Sequence, residues 1–155
     1  MSWEEELHRV VRKYYRGGRE EAPGWIAAGE VIGDPTVVSN ASCGDRVTVY
    51  RRPGGGAWLE VAGCAVCKAS ASVANRLLAE RPLDEVCTIA RRVLDGIAGV
   101  GETSSHDIDT ELAGLVGDEL AADVRSFFSL SAVPGRRRCA ELPWEAVLRE
   151  ADVAR

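Results

Sequence analysis

The sequence predicts an α+β domain in which a small antiparallel sheet of about three strands packs against helices. Three observations carry this. Between Gly29 and Gly63 polar and apolar side chains alternate around glycine-rich connections. After Cys64 the apolar period lengthens to that of a helix and keeps it through two successive segments. At 155 residues the chain is long enough for one domain with a core that needs no disulfide staples.

Taken in order, residues 1–18 form an N-terminal helix. Trp3 to Arg16 places Leu7, Val10, Val11 and Tyr14 on one face, and Gly17-Gly18 ends it. His8 on this helix reads as a surface residue. Residues 29–63 form the sheet. Glu30-Val31-Ile32 and Thr36-Val37-Val38 flank the Gly33-Asp34-Pro35 turn, and Arg46 to Tyr50 and Ala57 to Ala62 follow as strands. Between the last two, Pro53-Gly54-Gly55-Gly56 lacks the lysine and the following helix of a phosphate-binding loop, so it reads as a hairpin tip.

Residues 64–98 carry two helices. Ala69, Val73, Ala74, Leu77 and Leu78 share one stripe, and beyond Arg81-Pro82 a second stripe runs through Leu83, Val86, Cys87, Ala90, Val93, Leu94 and Ile97. Cys87 sits in that stripe and belongs to the core. Residues 99–133 are an insert segment. It opens with a polar loop from Gly99 to Asp109, in which His106-Asp107 reads as solvated, and continues with a helix-prone stretch from Glu111 to Phe128, interrupted near Gly114 and Gly117. Residues 134–155 close the chain, with a helix from Ala140 to Val153 and Pro143 in its first turn.

The net charge of −5 argues against a general nucleic-acid binder, which favours a basic face. No apolar run is long enough to span a bilayer, and the N-terminus lacks a basic-then-apolar leader pattern. The expectation is a cytoplasmic chain. Its five cysteines then sit in a reducing compartment, where metal binding or thiol chemistry outranks disulfides.

Three of those thiols stand at element boundaries: Cys43, Cys64 and Cys139. In an extended segment Cys43 and Asp45 point the same way, and Gly44 between them permits close backbone approach. Cys64 and Cys139 each precede a helix, whose free N–H groups favour thiolate, and Arg136, Arg137 and Arg138 add positive charge beside Cys139. Three thiolates and a carboxylate suit tetrahedral zinc, and the thiolates equally suit an iron–sulfur cluster. The wide spacing matches no compact zinc-finger pattern, so a structural zinc or plain thiols stay open on this ground alone.

Three pieces occur in order: Asn40-Ala41-Ser42-Cys43-Gly44-Asp45-Arg46, then Gly63-Cys64 with Ala69-Ser70-Ala71-Ser72, then Pro134 to Trp144 (PGRRRCAELPW). Together they resemble the NifU/IscU-like iron–sulfur cluster assembly family, and its SufU branch in particular, over nearly the whole chain from Leu7 onward. The resemblance implies the IscU/SufU-like α+β fold and a site of Cys43, Asp45, Cys64 and Cys139. The long segment before the last cysteine, and Arg138 where scaffold-type members place histidine, point to the SufU branch. Arg136 matches the arginine of its Pro-x-Arg-x-x-Cys pattern.

The function so implied is a zinc-binding sulfur relay that takes persulfide sulfur from a cysteine desulfurase (SufS/IscS-like). It would hand that sulfur to downstream iron–sulfur or other acceptor proteins, with sulfurtransferase-like activity. Cys43 is the first choice of sulfur acceptor and Cys139 the second. Arg136 either stabilises the developing thiolate or docks the partner. The alternative is a scaffold that assembles a nascent [2Fe–2S] cluster on Cys43, Cys64 and Cys139. The chain departs from the family at Gly17-Gly18, at Ala41 and at the extra thiol Cys67. Two readings of another class use that thiol: a Cys64-Ala65-Val66-Cys67 dithiol oxidoreductase, and a structural zinc module on Cys43, Cys64, Cys67 and Cys139.

Overall fold

The structure is a computed structural model that describes residues 2–17, 22–99 and 105–153. It begins with helix α1 (Trp3–Arg12), started by a reciprocal cap in which the Glu5 amide donates to Ser2 Oγ and the Ser2 amide donates to the Glu5 carboxylate. The chain then widens into a π-type turn, Lys13–Gly17. Val10 and Tyr14 are buried, as their spacing predicts. The expected stop at Gly18 lies outside the described residues. A short helix α2 (Gly24–Ala27) leads toward the sheet.

Three strands, β1 (Thr36–Asn40), β2 (Asp45–Arg51) and β3 (Ala57–Ala62), form an antiparallel sheet in the order β1-β2-β3. Its register pairs Asn40 with Asp45 at one turn and Arg51 with Ala57 at the other. Val38, Val47, Val49 and Leu59 face the core. Glu30-Val31-Ile32, expected beside β1, does not join the sheet. The amide of Ile32 donates once to the Arg51 carbonyl at 3.0 Å, while Val31 and Ile32 stay exposed. A β-branched pair with no buried face has nothing to hold it in a ladder.

Helices α3 (Ala65–Glu80) and α4 (Leu83–Ala98) follow as predicted, separated by Arg81-Pro82. On α3, Asn75 clamps the edge strand: Leu59 N donates to its Oδ1 at 2.8 Å and its Nδ2 donates to Leu59 O at 2.9 Å. Cys87 is buried on α4. The next stretch corrects the polar-loop expectation, because helix α5 (Ser105–Val116) starts inside it. Ile108 and Leu112, one turn apart and both buried, outweigh the polar composition around them. Asp107 therefore lies in helix, and the His106 side chain falls outside the described residues. Gly114 continues α5, whereas Gly117, with φ 91°, breaks it before α6 (Asp118–Arg125) and a 3-10 segment (Ser126–Ala132).

The closing helix α7 (Pro134–Val153) begins a turn and a half earlier than the expected Ala140. Pro134 takes the first helical position, where its missing N–H costs nothing, so Pro143 lies in the helix interior. That interior proline forgoes the bond to the Cys139 carbonyl. The next carbonyl, Ala140 O, also accepts from Ser70 Oγ at 2.7 Å, which itself accepts from Trp144 Nε1 at 2.9 Å. At the far end the buried Glu150 accepts from Thr36 Oγ1 at 2.7 Å and faces Arg51 Nε at 2.6 Å, fixing α7 to β1 and β2. Helix α3 lies against β3, and α7 against α3, α4 and the first two strands. The cysteine-bearing ends of β2, α3 and α7 consequently converge.

Candidate functional site

The convergence is built around Asp45, the first residue of β2. Its carboxylate is almost wholly buried, and Oδ1 accepts from the Cys64 amide at 3.0 Å. The Cys64 thiol donates toward Oδ2 at 3.5 Å. Burial works against its charge, but hydrogen bonds from the Cys139 and Cys43 thiols and from the amide and thiol of Cys64 outweigh it. The carboxyl is held below the usual range. Gly63 makes this approach possible. A Cβ built on Gly63 would stand 2.3 Å from Asp45 Oδ1, so any side chain there would evict the carboxylate.

Cys43 reaches the same point from a turn and not from an extended strand. The turn between β1 and β2 closes through Gly44 N to Asn40 O at 2.8 Å, with Gly44 at φ 75°. No atom outside its chain neighbours lies within 4 Å of a Cβ built on Gly44. Its contribution is therefore the left-handed backbone, and close approach, the role expected of it, belongs to Gly63. The Cys43 thiol is exposed and lies 3.8 Å from the Cys139 thiol. Among the described residues, Cys43, Asp45 and Cys139 bring one ligand atom each to within 4.8 Å of one another.

Cys64 is the N-cap of α3, as expected, and its sulfur accepts from the Cys67 amide at 3.5 Å. Cys139 departs from expectation. It lies in the second turn of α7, not ahead of the helix, and is buried. Burial first, then hydrogen bonds with Asp45 and Cys64, push its thiol well above the ordinary range. The neighbouring arginines do not reverse this, because Arg137 pairs with Glu141 and Arg138 with Glu145 and Glu141. Arg136 is exposed on the first turn of α7.

Cys67 is fully buried beneath the cluster, and its thiol is pushed up by burial and by the nearby Asp45 charge. It does not stand with Cys43, Asp45 and Cys139. Its burial has a signal in the sequence, for Cys67, Ser70, Ala71 and Ala74 share one helical face, and all four are buried.

No family model matches the chain. The chain is 23% identical over 145 residues to the zinc-dependent sulfurtransferase SufU of Bacillus subtilis, covering 90% of this chain and 84% of that one. Among solved structures, FiSufU of Fervidobacterium islandicum, named for iron–sulfur cluster assembly in the SUF system, superposes with a TM-score of 0.55. It is 20% identical, with 92% of this chain and 91% of that one covered. The N-terminal part of a nitrogen-fixing NifU-like protein of Brucella abortus superposes with a TM-score of 0.64 at 20% identity, covering 94% and 92%. The chain is thus similar to SufU along most of its length and shares the fold of SufU-type and NifU-like proteins. Its α+β architecture, with a three-stranded antiparallel sheet, is the one expected from the residue pattern.

The donor set of this chain fits zinc. Soft sulfurs and one carboxylate oxygen are ligands that zinc accepts together in a four-coordinate site. Its described helices include none long and apolar enough to cross a membrane.

Proposed function

We propose that this chain is a zinc-binding sulfur-relay protein of iron–sulfur cluster biogenesis that accepts persulfide sulfur from a cysteine desulfurase. The observation that supports this most is the grouping of one exposed thiol, Cys43, with the buried Cys139 and Asp45 within 4.8 Å. Cys64, bonded to Asp45, would complete the ligand set. Bound zinc would keep these thiols deprotonated and quiet until one is needed.

In the transfer step the Cys43 thiolate attacks the outer sulfur of the desulfurase persulfide. The sulfur–sulfur bond of the donor breaks, its cysteine leaves as thiolate, and Cys43 becomes the persulfide. The exposed turn suits Cys43 to meet a macromolecular donor, while Cys139, buried behind it, is the second acceptor. Asp45 stays anchored by the Cys64 amide. Arg136, exposed three residues before Cys139, offers its charge to the donor or to the thiolate it releases.

The test is mass spectrometry after mixing with a desulfurase and cysteine. Added sulfur on Cys43 supports the relay, and no added sulfur on any cysteine rejects it. Anaerobic reconstitution with iron and sulfide separates the scaffold reading, which requires a stable visible chromophore where the relay requires retained zinc.

A further inference from the structure

Cys67 is a thiol beside the site that the relay leaves unused. It is fully buried, and its amide donates to the sulfur of Cys64 at 3.5 Å, so that sulfur hangs over the first turn of α3. The two residues are three apart, with Cys64 extended at the cap (φ −74°, ψ 168°) and Cys67 inside the helix. Helix geometry puts their Cα atoms about 5–6 Å apart, inside the range a disulfide spans. The bond would close within one turn of α3.

Their exposures divide the labour. Cys64 is partly exposed and open to external reagents, whereas Cys67 is buried and shielded from them. At that range the attack is intramolecular, which favours it by many orders of magnitude over a second external thiol.

We propose that Cys67 is the resolving thiol of Cys64, and that the pair is a modification site closed by low-molecular-weight disulfides. In the first step Cys64 attacks one sulfur of a disulfide RSSR, forming Cys64–S–S–R and releasing RSH. In the second, the Cys67 sulfur attacks the Cys64 sulfur, the bond to R breaks, and RS⁻ leaves with the proton that Cys67 gives up. The two cysteines are oxidised by two electrons and RSSR is reduced to two RSH. Closure turns the Cys64 sulfur from Asp45 toward the helix, so the cluster loses one donor reversibly.

The test uses the full-length chain freed of metal and treated with glutathione disulfide, with no desulfurase present. A Cys43→Ser, Cys139→Ser background removes the competing bonds of Cys139, whose sulfur lies 3.8 Å from that of Cys43 and is hydrogen-bonded to Cys64. The expected product has lost two hydrogens, with the loss on the peptide holding Cys64 and Cys67, and dithiothreitol restores it. Cys67→Ser and Cys67→Ala should each stop at a stable glutathione adduct on Cys64. A lasting adduct on Cys64 with Cys67 present, or no modification of Cys64 at all, would overturn the proposal. Both are read in the Cys67-containing protein, so they stand whether or not the substitutions fold.

Discussion

Gly63→Ala isolates the central carboxylate without touching any ligand. The backbone at Gly63 is not in the left-handed region, so alanine brings no strain of its own. Its methyl, however, would lie 2.3 Å from Asp45 Oδ1 and 2.7 Å from Asp45 Cγ, closer than a Cβ contact can be. The carboxylate has to retreat by most of an ångström. The 3.0 Å bond from the Cys64 amide then stretches past hydrogen-bonding range. A bond to a charged group contributes about 1.5–3 kcal/mol. At about 1.4 kcal/mol per factor of ten, zinc affinity should fall about ten- to a hundredfold. Competition against a chromophoric zinc chelator measures this directly, and thermal unfolding of the metal-free protein shows whether the fold survives. Gly24→Ala, where no atom lies within 4 Å of the added methyl, is the neutral control. Zinc affinity within about twofold of the parent would refute the placement of Asp45 at the centre, since the clash is unavoidable if the carboxylate is where the structure puts it.

Three other outcomes follow from the same geometry. Cys67→Ser should retain zinc while Cys64→Ser loses it, as read by metal content after gel filtration; equal loss in both would favour the structural zinc module. Ser70→Ala cuts the chain from Trp144 Nε1 through Ser70 to the Ala140 carbonyl and leaves a buried indole N–H unpaired, which should cost about 1–3 kcal/mol in urea unfolding. Asp123 is buried, which opposes its charge, but bonds from Lys13, Tyr14 and Arg9 prevail and hold its carboxyl below the usual range. Its contribution is therefore full above the ordinary carboxylate pKa of about 4 and drains away as pH falls through the lower folded-state value. Asp123→Asn should lower stability at neutral pH by about 1–3 kcal/mol and flatten the acid limb of a denaturation series.

The period of the side chains made most of the fold legible. A change from two to three and a half residues at Cys64 marks the strand-to-helix corner, and Gly33-Asp34-Pro35, Pro53 to Gly56 and Arg81-Pro82 punctuate the rest. It failed where local composition and tertiary burial disagree. Ser105 to Thr110 looks like loop until Ile108 finds the core, and Val31-Ile32 looks like strand although no core awaits it. The start of α7 was misplaced for a related reason. Pro143 invites reading as a first-turn proline, whereas Pro134 takes that position and Pro143 lies inside the helix, leaving the Cys139 carbonyl without its helical donor.

The site was legible as a set of residue types, but not as an arrangement. Cys64-Ala65-Val66-Cys67 presents two equivalent thiols on paper, yet a helix start is not symmetric. Its cap residue is extended and turns its sulfur outward to Asp45, while the residue three on has already joined the buried face with Ser70, Ala71 and Ala74. One sulfur is thereby offered to the cluster and the other withheld beneath it. The same asymmetry explains why Gly63 precedes the pair: the cap can approach Asp45 only if the residue before it has no side chain. A glycine that reads as an ordinary strand end is thus as necessary to the carboxylate as the cysteine beside it, and substituting either should disperse the same cluster.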